Sequence, residues 1–456
     1  MWTRRAFAGL VAVGAASAAS GATAQVSRPS RRQEADAIRR FTEATHPRGR
    51  EAAADAGWRG HWDGLAATVD GLNDGLYVAG LRRGLAWFRD GHTNLLPFEF
   101  LPAAPDAMKA GAFGVSAGLR VRAFDDGLWV TEAGEAATPL NGARIVSING
   151  VPDVALLRRL ADGWAGNNPA WAHRWASLLT SSAGMLQGLR VIGDTLDAPL
   201  VIEALKDGRP LRATLPLRAE AGQGRAPLAR TVTPREAWAA EAKVGNYVRP
   251  LPDRRAIYVS IDDMGDVEGM SFLDLGRQAF KAMEDPAAER LVIDLRRNGG
   301  GDNFLGEGLR KHVERSRFNR PGGLYVLIAP ETFSAAQNLA NRLERETFAL
   351  FVGGPTGGAP NHYGDASLFT GSTTGVVAMV STLPWFDSYP MDQRPWILPD
   401  LPVAETFADW AAGRDPALEL ALTHAGDGEA NDLARARSFF YERPSQKADW
   451  KPFWRA

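Results

Sequence analysis

Across residues 33–90, Ala, Leu and Trp recur at helical spacing and Pro47 is the one proline. This pattern predicts a helical N-terminal subdomain, drawn at residues 25–105 once the proline-punctuated stretch 96–105 is included. Inside it lies a polar turn, Arg89-Asp90-Gly91-His92-Thr93-Asn94. The pattern then shifts to short strand-like runs at 118–121, 128–131, 143–148 and 200–203, which predict a β-rich domain over 106–220. Asn149-Gly150 and Asp207-Gly208 are turn signals, the second joining 202–205 to 211–215 as a hairpin. Residues 153–190 read as a helix-rich insertion, and the Pro/Gly/Arg-rich stretch 219–235 reads as a linker. Beyond it, apolar strands at 256–261, 290–295, 324–328 and 349–352 alternate with helical runs at 271–283, 304–315 and after Ser334. Continuous apolar strands of that kind are covered on both faces, so residues 235–425 are expected to form an α/β core, a mixed sheet with helices on both sides. Residues 426–456 read as a C-terminal tail on the surface.

Composition narrows the function. A chain of 456 residues with 45% hydrophobic and 23% charged side chains can build two or three cores. Its 52 basic and 53 acidic residues leave a net charge of −1, too little field to attract nucleic acid or an anionic membrane. Only seven of the basic residues are lysines, and cysteine is absent. The second fact removes disulfides, thiol catalysis and thiolate metal sites. At the N-terminus, Thr3-Arg4-Arg5-Ala6-Phe7 precedes a Gly/Ala-rich run ending Ala22-Thr23-Ala24. Residues 1–24 therefore read as a signal peptide of twin-arginine type, and the expected location is periplasmic or secreted. The run is too weakly apolar for an anchor, and no other stretch has the length to span a bilayer.

Candidate chemistry centres on Pro330-Glu331-Thr332-Phe333-Ser334-Ala335-Ala336, which follows an apolar strand and opens a run of helix formers. A serine at such a strand-to-helix turn is exposed beside unpaired N–H groups, which suits a nucleophile whose substrate becomes an oxyanion. The alternative is a plain N-cap serine. Asp294-Leu295-Arg296-Arg297-Asn298-Gly299-Gly300-Gly301-Asp302 leaves a second strand into three glycines, whose amides can approach a ligand oxygen closely. No His-Glu-x-x-His or comparable spacing occurs, so neither a metal nor another cofactor is expected.

Asp-Leu-Arg-x-Asn-x-Gly-Gly at 294–301, paired with Thr-Phe-Ser-Ala-Ala at 332–336, resembles the tail-specific (C-terminal-processing) serine peptidase family. The similarity covers roughly residues 90–405, including Gly353-Gly354-Pro355-Thr356-Gly357-Gly358 and Leu398-Pro399-Asp400-Leu401-Pro402-Val403. The resemblance implies a crotonase/ClpP-like core with Ser334 as nucleophile. It also implies an oxyanion hole from the amides of Ala335 and of Gly300 or Gly301. Residues 106–220 become a PDZ-like domain, with Phe113-Gly114-Val115 near its peptide edge, and the partner becomes a polypeptide bound by its C-terminus.

Many members of that family use a lysine after the serine, but Ala359 stands at the matching position and the next lysine is Lys447. A hydroxyl nucleophile needs a base. The chain is therefore placed nearer the tricorn-core-like Ser/His branch, with His92 as general base and His362 as competitor. Asp392, roughly where that branch has a helping carboxylate, and Asp90, two residues from His92, are the candidates to orient the imidazole. The branch carries a hydroxyl residue immediately before its histidine, where this chain has Gly91. The expected activity is peptide-bond hydrolysis through an acyl-enzyme. The rivals are a noncatalytic peptide- or lipid-binding protein on the same scaffold and a serine esterase or amidase.

Overall fold

The computed structural model describes residues 30–97, 111–219 and 224–426. The expected signal peptide and all of the expected tail after Gly426 lie outside the described residues. Among those described, no helix is long and apolar enough to cross a membrane.

Four helices, Arg31–Thr45, Gly49–Ala54, Ala56–Thr68 and Asp74–Leu85, form the N-terminal region. Ser30 opens the first with a capping box closed by Gln33. Their apolar faces meet around Ile38, Trp58, Trp62, Leu81, Leu85 and Phe88. This unit is fastened to a distant part of the chain. The buried Glu34 carboxylate accepts hydrogen bonds from the Thr373 and Thr374 amides (2.6 and 2.9 Å) and the Thr374 hydroxyl (2.6 Å). The short strand Asn94–Leu95 pairs antiparallel with Val377–Val380. The polar turn that carries His92 is therefore pinned to a segment far along the chain.

The middle region is an antiparallel sheet in the order Arg225–Pro227, Gly127–Gly134, Arg144–Ile148, Leu200–Lys206, Arg209–Leu215, with Leu119–Phe124 beside Gly127–Gly134. Asp207 (φ 51°) and Gly208 (φ 74°) form the two-residue turn between its last strands, the left-handed pair that such a hairpin requires. The insertion supplies the helices Asp153–Gly163, Pro169–Arg174 and Ala183–Gly188. Among its described residues, the stretch read as a linker is largely structured instead. Arg218–Ala219 pairs with Val115–Ser116, Arg225–Pro227 pairs along Gly127–Gly134, and a helix starts at Pro234. Composition marks such a stretch as loop-like, but unsatisfied edges of neighbouring strands recruit its backbone.

The third region carries a six-stranded sheet in the order Tyr247–Leu251, Ala256–Ser260, Arg290–Asp294, Leu324–Ile328, Leu350–Gly353, Leu401–Pro402. The first strand is antiparallel to the second and the rest are parallel. Ala256–Ser260 and Leu324–Ile328 are buried along their whole length because helices cover both sides. Phe272–Met283, Glu307–Arg315 and Ala335–Glu346 pack on one face, and Pro234–Ala242 and Pro416–Thr423 on the other. Asp294 and Arg296 of the glycine-loop motif fasten this layer. Asp294 is wholly buried, accepting from Arg235 Nε (2.9 Å) and the Tyr258 hydroxyl (2.6 Å). Arg296 bridges Asp294 and Asp415. Burial pushes the Asp294 carboxyl up, but the two guanidiniums outweigh it and hold it well below the usual carboxylate range.

Candidate active site

Ser334 stands between the end of the strand Leu324–Ile328 and the helix Ala335–Glu346. Its backbone lies at φ 56° and ψ −127°, a region that non-glycine residues rarely enter and that costs about 1–3 kcal/mol. Neighbours hold it there. The Thr332 hydroxyl donates to the Leu295 carbonyl (3.0 Å), Gly357 N–H donates to the Thr332 carbonyl (3.2 Å), and Phe333 N–H donates to the Asn298 carbonyl (3.1 Å). The side chain makes no cap hydrogen bond to the helix, so the N-cap reading does not describe it. The strained turn instead presents Oγ outward, beside the first amide of the helix.

The glycine loop lies against this turn. A β-carbon on Gly300 (φ 115°) would sit 2.4 Å from Ser334 Cβ, so only glycine fits. Gly300 N–H donates to Asn298 Oδ1 (2.9 Å), and Asn298 Nδ2 in turn holds the Ile261 carbonyl (2.9 Å). Of the three amides expected to face an oxyanion, that of Gly300 is thus spent inside the loop. Gly300 O and Asp302 N–H both bond Met264, which turns the Gly301 amide to the other side. Among the described residues, no hydrogen bond engages the Gly301 or Ala335 N–H.

His92 Nε2 lies 2.9 Å from Ser334 Oγ across a sequence separation of 242 residues. The imidazole stacks on Phe333 (centroids 4.4 Å) and on His362 (5.7 Å). Gly91 has a steric reason. A β-carbon there would lie 2.7 Å from the Phe333 ring and 3.2 Å from Trp171, which fill the space that a hydroxyl residue would need.

Asp90 is the carboxylate nearest the ring. It is 0% exposed. Oδ1 accepts the His92 backbone N–H (3.0 Å) and lies 3.8 Å from His92 Nδ1, a buried atom with no other partner among the described residues. Oδ2 accepts from the hydroxyls of Thr93 (2.7 Å) and Ser381 (2.6 Å), and His46 Nε2 stands 3.5 Å away. Burial alone would raise this carboxyl, but the donors from His46, His92 and Ser381 hold it well below the usual range, so it is anionic. With Nδ1–H turned toward that charge, the Nε2 lone pair faces Ser334 Oγ.

His46 and Ser381 were not singled out in the sequence. His46 Nδ1 accepts the Arg48 N–H (2.9 Å), which leaves the imidazole proton on Nε2, aimed at Asp90. Phe88 and Tyr363 hold the ring through tilted aromatic contacts at 4.0 and 4.9 Å. Nothing local distinguishes either residue, because both reach Asp90 only through the pairing of Asn94–Leu95 with Val377–Val380 and the packing of the first helices.

Two other candidates sit elsewhere. His362 donates Nδ1–H to the Ala359 carbonyl (3.0 Å), and burial, reinforced by His92 beside it, pushes its pKa down to about 4. It is a neutral imidazole packed behind His92, and the serine oxygen goes to His92. Asp392 does not reach His92, a correction to its expected role. Its carboxylate accepts Ser388 Oγ (2.6 Å) and Arg394 (2.9 and 2.7 Å), and Arg394 also pairs with Glu344 (2.8 Å). An acid so paired braces its own loop and has no oxygen turned to the imidazole. Among the described residues, no group of acids and histidines could hold a metal ion.

Comparison with known proteins adds to this geometry. No protein-family profile matches the chain. It is 26% identical over 315 residues to tricorn protease homolog 2 of Streptomyces coelicolor, a match that takes in 56% of this chain and 26% of the relative. The chain thus spans about a quarter of that relative's length. Among solved structures, mature CPAF superposes with a TM-score of 0.56 at 12% identity, covering 87% of this chain and 98% of that one. CPAF complexed with lactacystin gives 0.55 at 11%, covering 89% and 98%. At such identities the likeness is one of fold. The chain is therefore similar in fold to mature CPAF along most of its length, and similar in sequence, over just over half of it, to a tricorn protease homolog.

Proposed function

We propose that this chain is a serine peptidase of the tail-specific, Ser/His kind. The observation that carries the reading is the 2.9 Å approach of His92 Nε2 to a serine hydroxyl held on a strained turn. In this mechanism His92 takes the Ser334 proton as Oγ attacks the scissile carbonyl. Asp90 holds the ring in the required tautomer and stabilises the imidazolium that forms. The Gly301 and Ala335 amides receive the developing oxyanion, a term worth several kcal/mol in such sites (about 3–4 for one donor). His92 then returns the proton to the leaving amine, and water, activated by the same imidazole, releases the acyl group from Ser334.

Substrate is proposed to run as an extended chain between the β-rich region, read as PDZ-like, and the core. Support comes from the insertion helix Pro169–Arg174, whose Trp171 packs on Phe333 at 4.2 Å, directly beside the nucleophile. Export by the twin-arginine route is proposed from residues 1–24, and a reporter fused behind them should appear outside the cytoplasm only while Arg4-Arg5 is intact.

A fluorophosphonate probe tests the chemistry. It should label the wild-type chain and fail on Ser334→Ala. His92→Ala should slow labelling by about 10²–10⁴-fold, and His362→Ala by far less. A wild-type chain that resists the probe while retaining a peptide or lipid would replace this reading with the noncatalytic one. Labelling accompanied by turnover of small esters, but of no unstructured peptide, would leave the esterase.

A further inference from the structure

A cavity of about 360 Å³ opens between the helix Asp74–Leu85 and the insertion helices Asp153–Gly163 and Ala183–Gly188, and neither Ser334 nor His92 lines it. That volume falls at the lower end of the range for sites that hold small molecules, about 300–1,000 Å³. Val78, Leu160, Met185 and Leu189, all buried, give it apolar walls. The first and last of these helices touch closely beside it. A β-carbon on Gly188 would lie 2.8 Å from the Gly75 carbonyl oxygen, so the space is not left by loosely packed helices.

Its charge is one-sided. Four guanidiniums line it, from Arg82, Arg83, Arg159 and Arg190, against the single carboxylate of Asp162. Arg82, 5% exposed, lies over the Trp164 ring at 4.1 Å and places Nη1 2.9 Å from Met185 Sδ, a weak acceptor. The other three arginines are exposed. Arg159 Nη1 reaches the Leu189 and Arg190 carbonyls (2.9 and 3.2 Å), and among the described residues no ion pair neutralises Arg83, Arg159 or Arg190. Three helices bring their last turns to the cavity, each end carrying at most about half a negative charge. That is about one and a half units against a surplus of three guanidiniums, so the cavity stays positive.

We propose that this cavity binds a small amphipathic anion, its short alkyl chain against the apolar wall and its carboxylate or phosphate head held by the exposed arginines. A guanidinium suits either head, because its two parallel N–H donors match two of the head's oxygens. An alkyl body fits better than a flat ring. The Trp164 ring already carries Arg82 and meets Trp175 (centroids 5.5 Å), and Phe113 lies face-on to Gly184. The remaining walls are aliphatic or thioether, which accommodate a flexible chain. The occupant would rest beside the turn that carries His92, since the Ala165 carbonyl, next to Trp164, accepts from Asn94 Nδ2 (3.2 Å), two residues beyond His92. The site does not depend on whether Ser334 cuts peptides.

The test is calorimetric titration of the full-length protein with octanoate and with octyl phosphate, below the concentrations at which they form micelles. Octylammonium supplies the same chain with the opposite charge, and acetate and inorganic phosphate supply the heads alone. At least one alkyl anion should bind about tenfold tighter or more than any of these three controls, as one charge-assisted contact to arginine would give. The tighter of the two anions identifies the head. The double substitution Arg83→Glu, Arg190→Glu should weaken that binding by about tenfold or more, and because both side chains are exposed the fold should tolerate it. Arg315→Glu, exposed on Glu307–Arg315, should leave the affinity unchanged. Absence of binding by both anions, equal binding by octylammonium or by the bare heads, or an affinity that survives the double substitution overturns the proposal. So does binding that emerges only when residues 98–110 are deleted, since the chain itself would then be the occupant. Failure of fluorophosphonate labelling would strike the serine chemistry and leave these titrations readable.

Discussion

The two halves of the candidate site are built in opposite ways. The Ser334 half is local. Strand, strained turn and helix follow one another within about twenty residues, and the glycine loop arrives from the adjacent parallel strand. The His92 half is assembled from afar. Its turn is held by His46 from the first helices and by Ser381 from beyond the nucleophile helix. Where geometry is set by backbone conformation, single atoms decide activity. Where it is set by converging side chains, each contact carries a share.

The largest effect should therefore come from Gly300→Ala. The added methyl would sit 2.4 Å from Ser334 Cβ at φ 115°, displacing the turn or the loop. Labelling should fall by about 10⁴-fold, from a misplaced hydroxyl and a disturbed oxyanion loop together, and chemical denaturation should show a loss of about 1–3 kcal/mol. Asp90→Asn comes next. It keeps the shape but removes the charge that fixes the His92 tautomer, and peptide hydrolysis should drop by about 10³-fold with KM little changed. Weaker loss than from His92→Ala would still place Asp90 behind His92, whereas wild-type rates would remove it from the site.

His46 sharpens the contrast. His46→Phe keeps a ring between Phe88 and Tyr363 but removes the Nε2–H aimed at Asp90. It should lower kcat by about tenfold, and His46→Gln, which restores an N–H at that reach, should recover most of it. Equal losses for both would mark His46 as packing alone. The smallest effect on turnover belongs to Asp392→Asn, expected within about threefold of wild type because its oxygens serve Arg394 and Ser388. The cost there should appear in stability.

His362 gives a pH test of its own. Its folded pKa, about 4, lies below the ordinary 6.5, so the unfolded chain binds the proton more readily. Stability from this group is present above pH 6.5 and declines as pH falls toward 4, by up to about 3 kcal/mol in all. Melting temperature should fall across that window in the wild type and fall less in His362→Phe.

These contrasts explain what could be read from the chain. The strands at 290–295 and 324–328, the serine at a strand-to-helix turn and the Asp207-Gly208 hairpin each follow from a short run of residues, and each is present in the fold. The choice of amide was not legible, because an Asn298 side chain folding back on Gly300 N–H leaves no mark in a glycine run. Asp392 misled for a related reason. Its position suggested a helper, but Arg394, two residues on, claims both of its oxygens. The departure at Gly91 became intelligible only when Phe333 and Trp171 were seen to occupy the space. The supposed linker failed because composition does not report which strand edges stand open nearby.

The buried Glu34 knot bears on the timing of synthesis. Its partners are the amides of Thr373 and Thr374, some 340 residues later, and the turn bearing His92 waits on Val377–Val380 and Ser381. On a ribosome, the strand, turn and helix around Ser334 are made before these residues emerge. A chain that stopped short of Ser381 would thus carry Ser334 and His92 without the contacts that hold the His92 turn in place.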